Sequence, residues 1–214
     1  LISGAANNYD ITKTKEPGVE RHFAIDSTEF MPDKETFFMT EDITKNAVKF
    51  LQIAETKDQP FFLYLSYTAP HWPLHARQED IAKYKGKYMK GWDVLRKERY
   101  ERMIEKGIID KIWPLSDRDP KIMAWDDLSD EQKERSDLLM SIYAAQVDEL
   151  DQGVGAVLAQ LEAMNASENT LIFFLSDNGG CEEKEILGTD FWGNFWDGDA
   201  VPGSGDSYHS YGGA

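Results

Sequence analysis

Three polar side chains follow two apolar runs of strand length within a few residues. His71 follows the run 61–67 (FFLYLSY), and Asp177 and Asn178 follow the run 170–175 (TLIFFL). Neighbouring Asp and Asn residues offer a carboxylate and an amide oxygen, hard ligands that suit Ca2+ and also Mg2+. A histidine at such a position could donate to an anionic group or act as a general acid. Simpler roles stay open, because Asp-Asn-Gly is also a common turn and a loop histidine is often a structural donor.

Both apolar runs are nearly continuous, which is typical of strands buried on both faces of a parallel sheet. Ligands gather beyond the carboxyl ends of the strands in such sheets, so we expect His71, Asp177 and Asn178 to share one pocket. Two protein ligands are too few for calcium, which takes ~6–8 oxygens. The remaining ligands must come from outside this chain, from the substrate or from water.

A first helix is predicted before the first strand. It begins near Thr40 as the N-cap, because apolar residues then recur at helical spacing. These residues are Ile43, Ala47, Phe50, Leu51 and Ala54. The predicted elements follow one another as helix, strand, a long excursion (77–128), helix and strand. This order predicts an α/β fold with a mostly parallel sheet flanked by helices.

A second, long helix precedes the second strand. Ser129 with Gln132 three residues later is the signature of a capping box, and apolar residues, Val147 and Leu158 among them, step along one side of the helix as far as Leu161. Gly153 and Gly155 lie inside this helix. They either weaken it, by ~1 kcal/mol each relative to alanine, or mark close packing.

The net charge limits the classes of partner that this chain can bind. The 214 residues carry 23 basic and 39 acidic side chains, a net charge of −16, which repels nucleic acid. An anionic substrate must therefore be held by local cations, either a metal or a few placed side chains. Ten basic and six acidic residues lie between Arg77 and Lys106. This excursion, 77–128, is either a solvated helical region or a binding patch.

The hydropathy, the cysteine count and the absence of certain motifs exclude several classes of protein. No apolar run approaches the ~18 residues of a membrane span, and the single cysteine excludes an internal disulfide or a multi-cysteine metal site. The sequence has no phosphate loop, no glycine-rich dinucleotide motif and no GxSxG nucleophile elbow.

Four segments together resemble the arylsulfatase family of the alkaline-phosphatase superfamily. In chain order they are FFLYLSYTAPHWPLH, YKGKYMKGWDVLRKERYERMIEKGIID, YAAQVDELDQGVGAVLAQLE and TLIFFLSDNGG. They occur in the order of that family and cover roughly residues 35–180. The resemblance implies an alkaline-phosphatase-like fold, with residues 1–214 as a partial sulfatase catalytic domain, incomplete at both ends, in which 181–214 is a glycine-rich loop region.

The resemblance also implies an activity, the calcium-dependent hydrolysis of an aryl or carbohydrate sulfate ester. Asp177 and Asn178 match the family's metal-binding pair, and His71 matches the histidine that contacts the sulfate and assists departure of the alcohol. The family is commonly exported (periplasmic or extracellular) or lysosomal. The partner implied is a sulfated small molecule or glycan.

This sequence departs from the family at the nucleophile. Sulfatases use a formylglycine made from Cys or Ser in a C/S-x-P-x-R motif, and no arginine in this chain has proline two residues before it. Lys184 follows the Asp-Asn pair too closely to match the family's substrate-binding lysine. We therefore expect no turnover from these residues alone. Two alternatives are a phosphoryl or phosphonate hydrolase of the same superfamily and a non-catalytic module that binds a cation or a sulfated glycan.

Overall fold

A computed structural model describes residues 7–10, 22–57, 59–179 and 201–204. The elements are the strands β1 (Phe23–Ile25) and β2 (Thr28–Phe30) and the helices α1 (Met39–Glu55), α2 (Gln78–Tyr84), α3 (Gly91–Glu105) and α4 (Asp130–Ala163), with 3-10 turns at Trp125–Asp127 and Ser167–Asn169. Helices α1 and α2 both pack against α4. Except for 201–204, the predicted glycine-rich region 181–214 lies outside the described residues, and Lys184 with it.

The main core joins α2 and α4 to the loop that follows His71. Its buried residues are Leu74, Ala76, Ile81, Leu139, Ile142 and Ala145. Two of them, Leu74 and Ala76, belong to the loop itself and have no exposed surface. The loop is therefore part of the packed interior, which limits its freedom to move.

Helix α4 begins as the sequence predicts. The Ser129 hydroxyl accepts from the Gln132 N–H at 3.2 Å, and the Gln132 side chain accepts from the Ser129 N–H at 2.9 Å. These bonds satisfy two of the donors that a helix N-terminus leaves unpaired. The predicted capping box is confirmed.

The two glycines of α4 have different surroundings. A Cβ added at Gly153 would lie 2.5 Å from Thr44 Oγ1 and 2.7 Å from the Tyr67 hydroxyl oxygen, whereas one added at Gly155 would meet nothing within 4 Å. Thr44 and Tyr67 are themselves joined by a hydrogen bond of 2.8 Å. Close packing therefore accounts for Gly153 and not for Gly155.

Helix α1 begins two residues earlier than predicted, and the assignment of Thr40 as N-cap is wrong. Phe38 is the N-cap residue, and its N–H donates to the Asp42 carboxylate at 3.1 Å. Thr40 lies inside the first turn and is buried. The early start places Met39 in a small apolar cluster with Phe37, and burial of this apolar surface stabilises the first turn.

The two predicted strands are extended but do not pair. Among the described residues the only sheet is the antiparallel hairpin of β1 and β2. The predicted burial is wrong for both runs: Phe62 is 91% exposed, and every residue of 171–175 is exposed. A strand buries both faces only when neighbouring strands and covering helices are present, and the described part of the chain supplies no strand that pairs with either run. The mostly parallel sheet therefore stays a prediction.

The excursion 77–128 contains α2, α3 and the first 3-10 turn. The rings of Trp92 and Trp125 meet edge to face with centroids 5.0 Å apart, and the Trp125 N–H donates to the Asp93 carboxylate at 3.0 Å. These contacts attach the start of α3 to the turn that precedes α4. None of the helices described is long and apolar enough to cross a membrane.

Candidate functional site

The loop 68–77 carries His71 and leaves the extended run 61–67. It begins with a turn in which the His71 N–H donates to the Thr68 carbonyl at 2.9 Å. The peptide bonds before Pro70 and Pro73 are both cis. From Pro73 to Ala76 every residue is buried. The loop thus has an exposed tip, which bears His71, on a buried base.

Two side chains of α4 hold the base of this loop. The Gln146 amide donates to the Pro73 carbonyl at 3.1 Å, and Glu149 Oε1 accepts from the Arg77 N–H at 2.6 Å. Gln146 is fully buried and Glu149 is 7% exposed. Buried backbone groups need such partners because they cannot reach water. One helix therefore binds the loop on both sides of its buried stretch.

Residues distant in sequence hold the same base from other directions. The Asn8 N–H donates to His75 Nδ1 at 3.1 Å, and the Tyr9 hydroxyl donates to the Ala76 carbonyl at 2.8 Å. The Ala76 N–H donates to the Gly203 carbonyl at 3.1 Å. His75 has no exposed surface, so it acts in packing and hydrogen bonding within this loop.

His71 itself is exposed, and one ring nitrogen is engaged. Its Nδ1 lies 2.6 Å from the carbonyl oxygen of Trp72. Because a carbonyl only accepts hydrogen bonds, Nδ1 carries the proton and the neutral ring has its lone pair on Nε2. Nε2 is therefore the atom through which this side chain can take up or deliver a proton.

Asp177 and Asn178 lie at the end of the second extended run and are exposed. The Asn178 amide nitrogen donates to the Gly179 carbonyl at 2.6 Å, and the Ser176 hydroxyl donates to the Asn178 carbonyl at 2.6 Å. These bonds use the amide nitrogen and leave the two side-chain oxygen groups as the available ligands. Their donor chemistry fits a hard cation.

The shared pocket of His71, Asp177 and Asn178 stays a prediction. The hydrogen bonds described above for His71 and Asn178 all join residues no more than three positions apart in the sequence. Within the described ranges, no group of three or more His, Cys, Asp or Glu side chains is placed to hold a metal ion. The donors are therefore right in type for calcium and too few in number.

Burial controls the charge of Glu149. It raises the pKa of this carboxyl to about 8, and neither the Arg77 backbone bond nor the Arg77 charge reverses the shift. Oε2 of Glu149 has no hydrogen-bond partner among the described residues. At neutral pH the carboxyl is therefore mostly protonated and uncharged.

Arg77 connects the loop to α1. Its guanidinium carbon lies 4.7 Å from the centre of the Phe38 ring and 5.4 Å from that of Tyr9. Its Nε donates to the Glu41 carboxylate at 2.8 Å. Burial tends to raise the pKa of Glu41, but the hydrogen bonds and charges of Arg77 and Lys45 together outweigh it and hold this pKa below its usual value.

The sequence reasoning missed the loop's partners on α4. It assigned the buried side of the helix to apolar residues, yet Val147 is 42% and Leu158 is 43% exposed, while Gln146 and Glu149 are buried. A signal was present: Ile142, Gln146, Glu149 and Gly153 follow one another at intervals of four, three and four residues, which places them on one face. The glycine in that row marks a face approached closely by other chain segments.

Comparison with known proteins gives the family. The sulfatase family profile matches residues 5–203. An uncharacterized sulfatase of Schizosaccharomyces pombe is 43% identical over 124 residues, which are 58% of this chain and 22% of that protein. An arylsulfatase of Klebsiella aerogenes is 31% identical over 185 residues, which are 85% of this chain and 39% of that enzyme.

Among solved structures, a crystal structure of Ps i-CgsB is 26% identical, with a TM-score of 0.36 over 65% of this chain and 20% of that one. A TM-score of this size does not establish a shared fold. The chain spans about a fifth to two fifths of the length of the curated relatives it matches. The family profile, in contrast, covers nearly all of its 214 residues. On that match, the chain belongs to the sulfatase family.

Proposed function

We propose that this chain is part of a calcium-dependent sulfatase that hydrolyses aryl or carbohydrate sulfate esters. The observation that carries the proposal is the match of the sulfatase family to residues 5–203. The anchored loop that bears His71 supports it, because an acid catalyst must be held in one position to act. The nucleophile in this proposal is a formylglycine from a motif that the present sequence does not contain.

Asp177 and Asn178 are the proposed metal ligands of this chain. Both are exposed, and both present an oxygen of the type that calcium takes, or magnesium in its place. A bound divalent cation would neutralise negative charge on the sulfate oxygens as it grows in the transition state. The other ligands of the proposed site belong to residues outside this sequence, to substrate or to water.

His71 is the proposed general acid. When the S–O bond of the ester breaks, the departing alcohol oxygen gains negative charge and needs a proton. The bond from Nδ1 to the Trp72 carbonyl leaves Nε2 for this transfer, and the ring acts as an acid in its imidazolium form, in which Nε2 also carries a proton. Gln146 and Glu149 are positioning residues in the same step, since they hold the base of the loop and do not touch the substrate.

The setting of the reaction is also part of the proposal. The substrate is a sulfated small molecule or glycan, and the protein is exported or lysosomal, as is common in the family. The 214 residues by themselves are proposed to lack turnover and to bind calcium weakly, because only two of the ligands are present.

The decisive experiment measures sulfate release from 4-nitrophenyl sulfate by a protein that joins this chain to an upstream nucleophile motif. His71→Ala should lower kcat by about 10²- to 10⁴-fold, and Asp177→Asn should weaken calcium binding measured by calorimetry. The matched control is His22→Ala, since His22 is exposed on the β1–β2 hairpin side of the molecule and not in the loop.

Three results would overturn the proposal. The first is full activity in His71→Ala. The second is a strong preference for 4-nitrophenyl phosphate over the sulfate, which would favour the phosphoryl hydrolase alternative. The third is tight calcium or glycan binding by the 214 residues without any sulfate release in the longer protein, which would favour the binding module.

A further inference from the structure

A groove of about 700 Å³ opens between the end of α2, the turn after it and one face of α3. Aromatic and basic side chains dominate its lining, with Leu95 as the aliphatic member. None of the predicted site residues, His71, Asp177 or Asn178, lines it. The function derived above leaves this groove without a role.

The turn that forms one wall of the groove is held by a buried carboxylate. Asp137 of α4 is 4% exposed and accepts from the N–H groups of Gly86 and Tyr88 at 2.7 and 2.8 Å. Gly86 has a φ of +83°, a backbone conformation that side-chain-bearing residues rarely adopt. The wall is thus specified by its own contacts and does not depend on a ligand to form.

The charge of the lining is positive in a chain that is strongly acidic overall. The lining contains three cations, Lys87, Lys90 and Arg102, and one carboxylate, that of Glu98. Glu98 accepts from Lys90 at 2.8 Å and lies 3.9 Å from Arg102, and these side chains are 35 to 57% exposed. Exposed pairs of this kind contribute about 0–1 kcal/mol, so an incoming anion can replace Glu98 as the partner of either cation.

The cations and the aromatic rings of the groove alternate along the turn. Lys87 Nζ lies 4.8 Å from the centre of the Tyr84 ring, and Tyr88 follows it in sequence on the same wall. Partly exposed tyrosine rings offer an apolar face that a sugar ring can cover. Cations beside such rings suit a sugar that carries anionic groups, whereas a small inorganic anion would use the cations alone.

We propose that the groove between the turn 85–90 and α3 binds a strand of sulfated glycan. This inference rests on the proposed function and extends it, because it gives a polymeric substrate a second point of attachment. The net charge of −16 does not prevent binding, since at physiological salt charges more than ~8 Å apart are largely screened. Only the cations of the groove itself then act on a bound sulfate group.

The test is binding of a dextran sulfate oligosaccharide to the 214-residue chain, measured by calorimetry at low and high salt, with unsulfated dextran as the matched probe. Replacing the three cations (Lys87→Gln, Lys90→Gln, Arg102→Gln) should weaken binding at least about tenfold. Replacing each of the three by the other basic residue (Lys87→Arg, Lys90→Arg, Arg102→Lys) keeps the charge and should preserve binding. The control removes three exposed lysines elsewhere, Lys49, Lys57 and Lys121, and changes the net charge equally.

A second variant addresses the sugar. Tyr88→Leu should weaken binding of dextran sulfate about threefold or more and leave binding of polyphosphate unchanged. Equal losses in the groove and control triple variants would overturn the proposal, and so would equal effects of Tyr88→Leu on both polyanions. Binding is measured without turnover, so a failure of sulfate release would count against the proposed function and not against the groove.

Discussion

The N–H of Arg77 donates to Oε1 of Glu149 at 2.6 Å, across 72 positions of sequence. This bond joins the base of the loop that bears His71 to the middle of α4. Together with the bond from Gln146 to Pro73, it fixes the position of the loop relative to α4. A substitution at Glu149 should therefore change the position of His71, although no hydrogen bond joins the two side chains.

The first prediction concerns Glu149 and pH. The pKa of this carboxyl is about 8 in the folded chain and 4.5 ordinarily, so between these values the unfolded state holds fewer protons than the folded state. The free energy of unfolding must then fall as pH rises from about 4.5 to about 8, by at most about 1.4 kcal/mol per pH unit. Glu149→Gln cannot ionise and should lack this decline. Denaturant unfolding at pH 5 and pH 8 measures the difference.

The control for this prediction is Asp151→Asn, an exposed acid two residues away on the same helix. It should leave the pH dependence of stability as it is in the unchanged chain. If Glu149→Gln declines with pH as steeply as the unchanged chain, Glu149 does not titrate between these values and the assignment is wrong.

A second prediction concerns the two glycines of α4. Gly153→Ala should lower the free energy of unfolding by about 1–3 kcal/mol, because the methyl group would overlap Thr44 and Tyr67. Gly155→Ala should raise it by about 0.5–1 kcal/mol, because open space surrounds Gly155 and alanine favours the helix. Urea unfolding of both variants checks the prediction, and effects of the same sign at the two positions would contradict it.

A third prediction separates the charge of Arg77 from its shape. Arg77→Lys keeps the charge but loses the planar group that lies over Phe38 and the Nε bond to Glu41. The free energy of unfolding should fall by about 1 kcal/mol or more. Arg99→Lys on the exposed side of α3 is the matched control and should change it by less than about 0.5 kcal/mol. Equal effects would mean that neither the ring contact nor the Nε bond of Arg77 contributes measurably to stability.

A fourth prediction follows from the unpaired extended runs. Phe62 is 91% and Phe173 is 78% exposed, and exposed apolar strands with unpaired backbone groups associate. We expect the 214-residue chain to have low stability or to form oligomers in sedimentation experiments. Phe62→Lys with Phe173→Lys should shift it toward monomer. A sharp, reversible melting transition of a clean monomer would contradict this expectation.

Local features of the fold were predictable from the sequence because their causes are local. The capping box of Ser129 and Gln132 needs only residues three apart, and α4 begins where it predicts. The start of α1 was not predictable in the same way. Burial of Met39 and Phe38 against distant residues, and not the nearby hydroxyl of Thr40, sets that boundary.

For the candidate site too, the sequence predicts the residue types but not the contacts that position them. The types of His71, Asp177 and Asn178 and their places after two apolar runs predict the chemistry, and their roles stay a prediction. The side chains of Gln146 and Glu149, which hold the loop, could not be predicted from the spacing of apolar residues. That spacing does not show that these two side chains face buried backbone groups.

The sequence by itself determined the family, the alkaline-phosphatase-like α/β class that goes with it, the long capped helix and the residue types from which the sulfate chemistry is proposed. Only the tertiary structure decided which face of α4 is buried, which nitrogen of His71 is available and where the cations of 77–128 converge. The physical reason is that side-chain type and spacing act along the chain, whereas burial and hydrogen bonding depend on which distant segments meet.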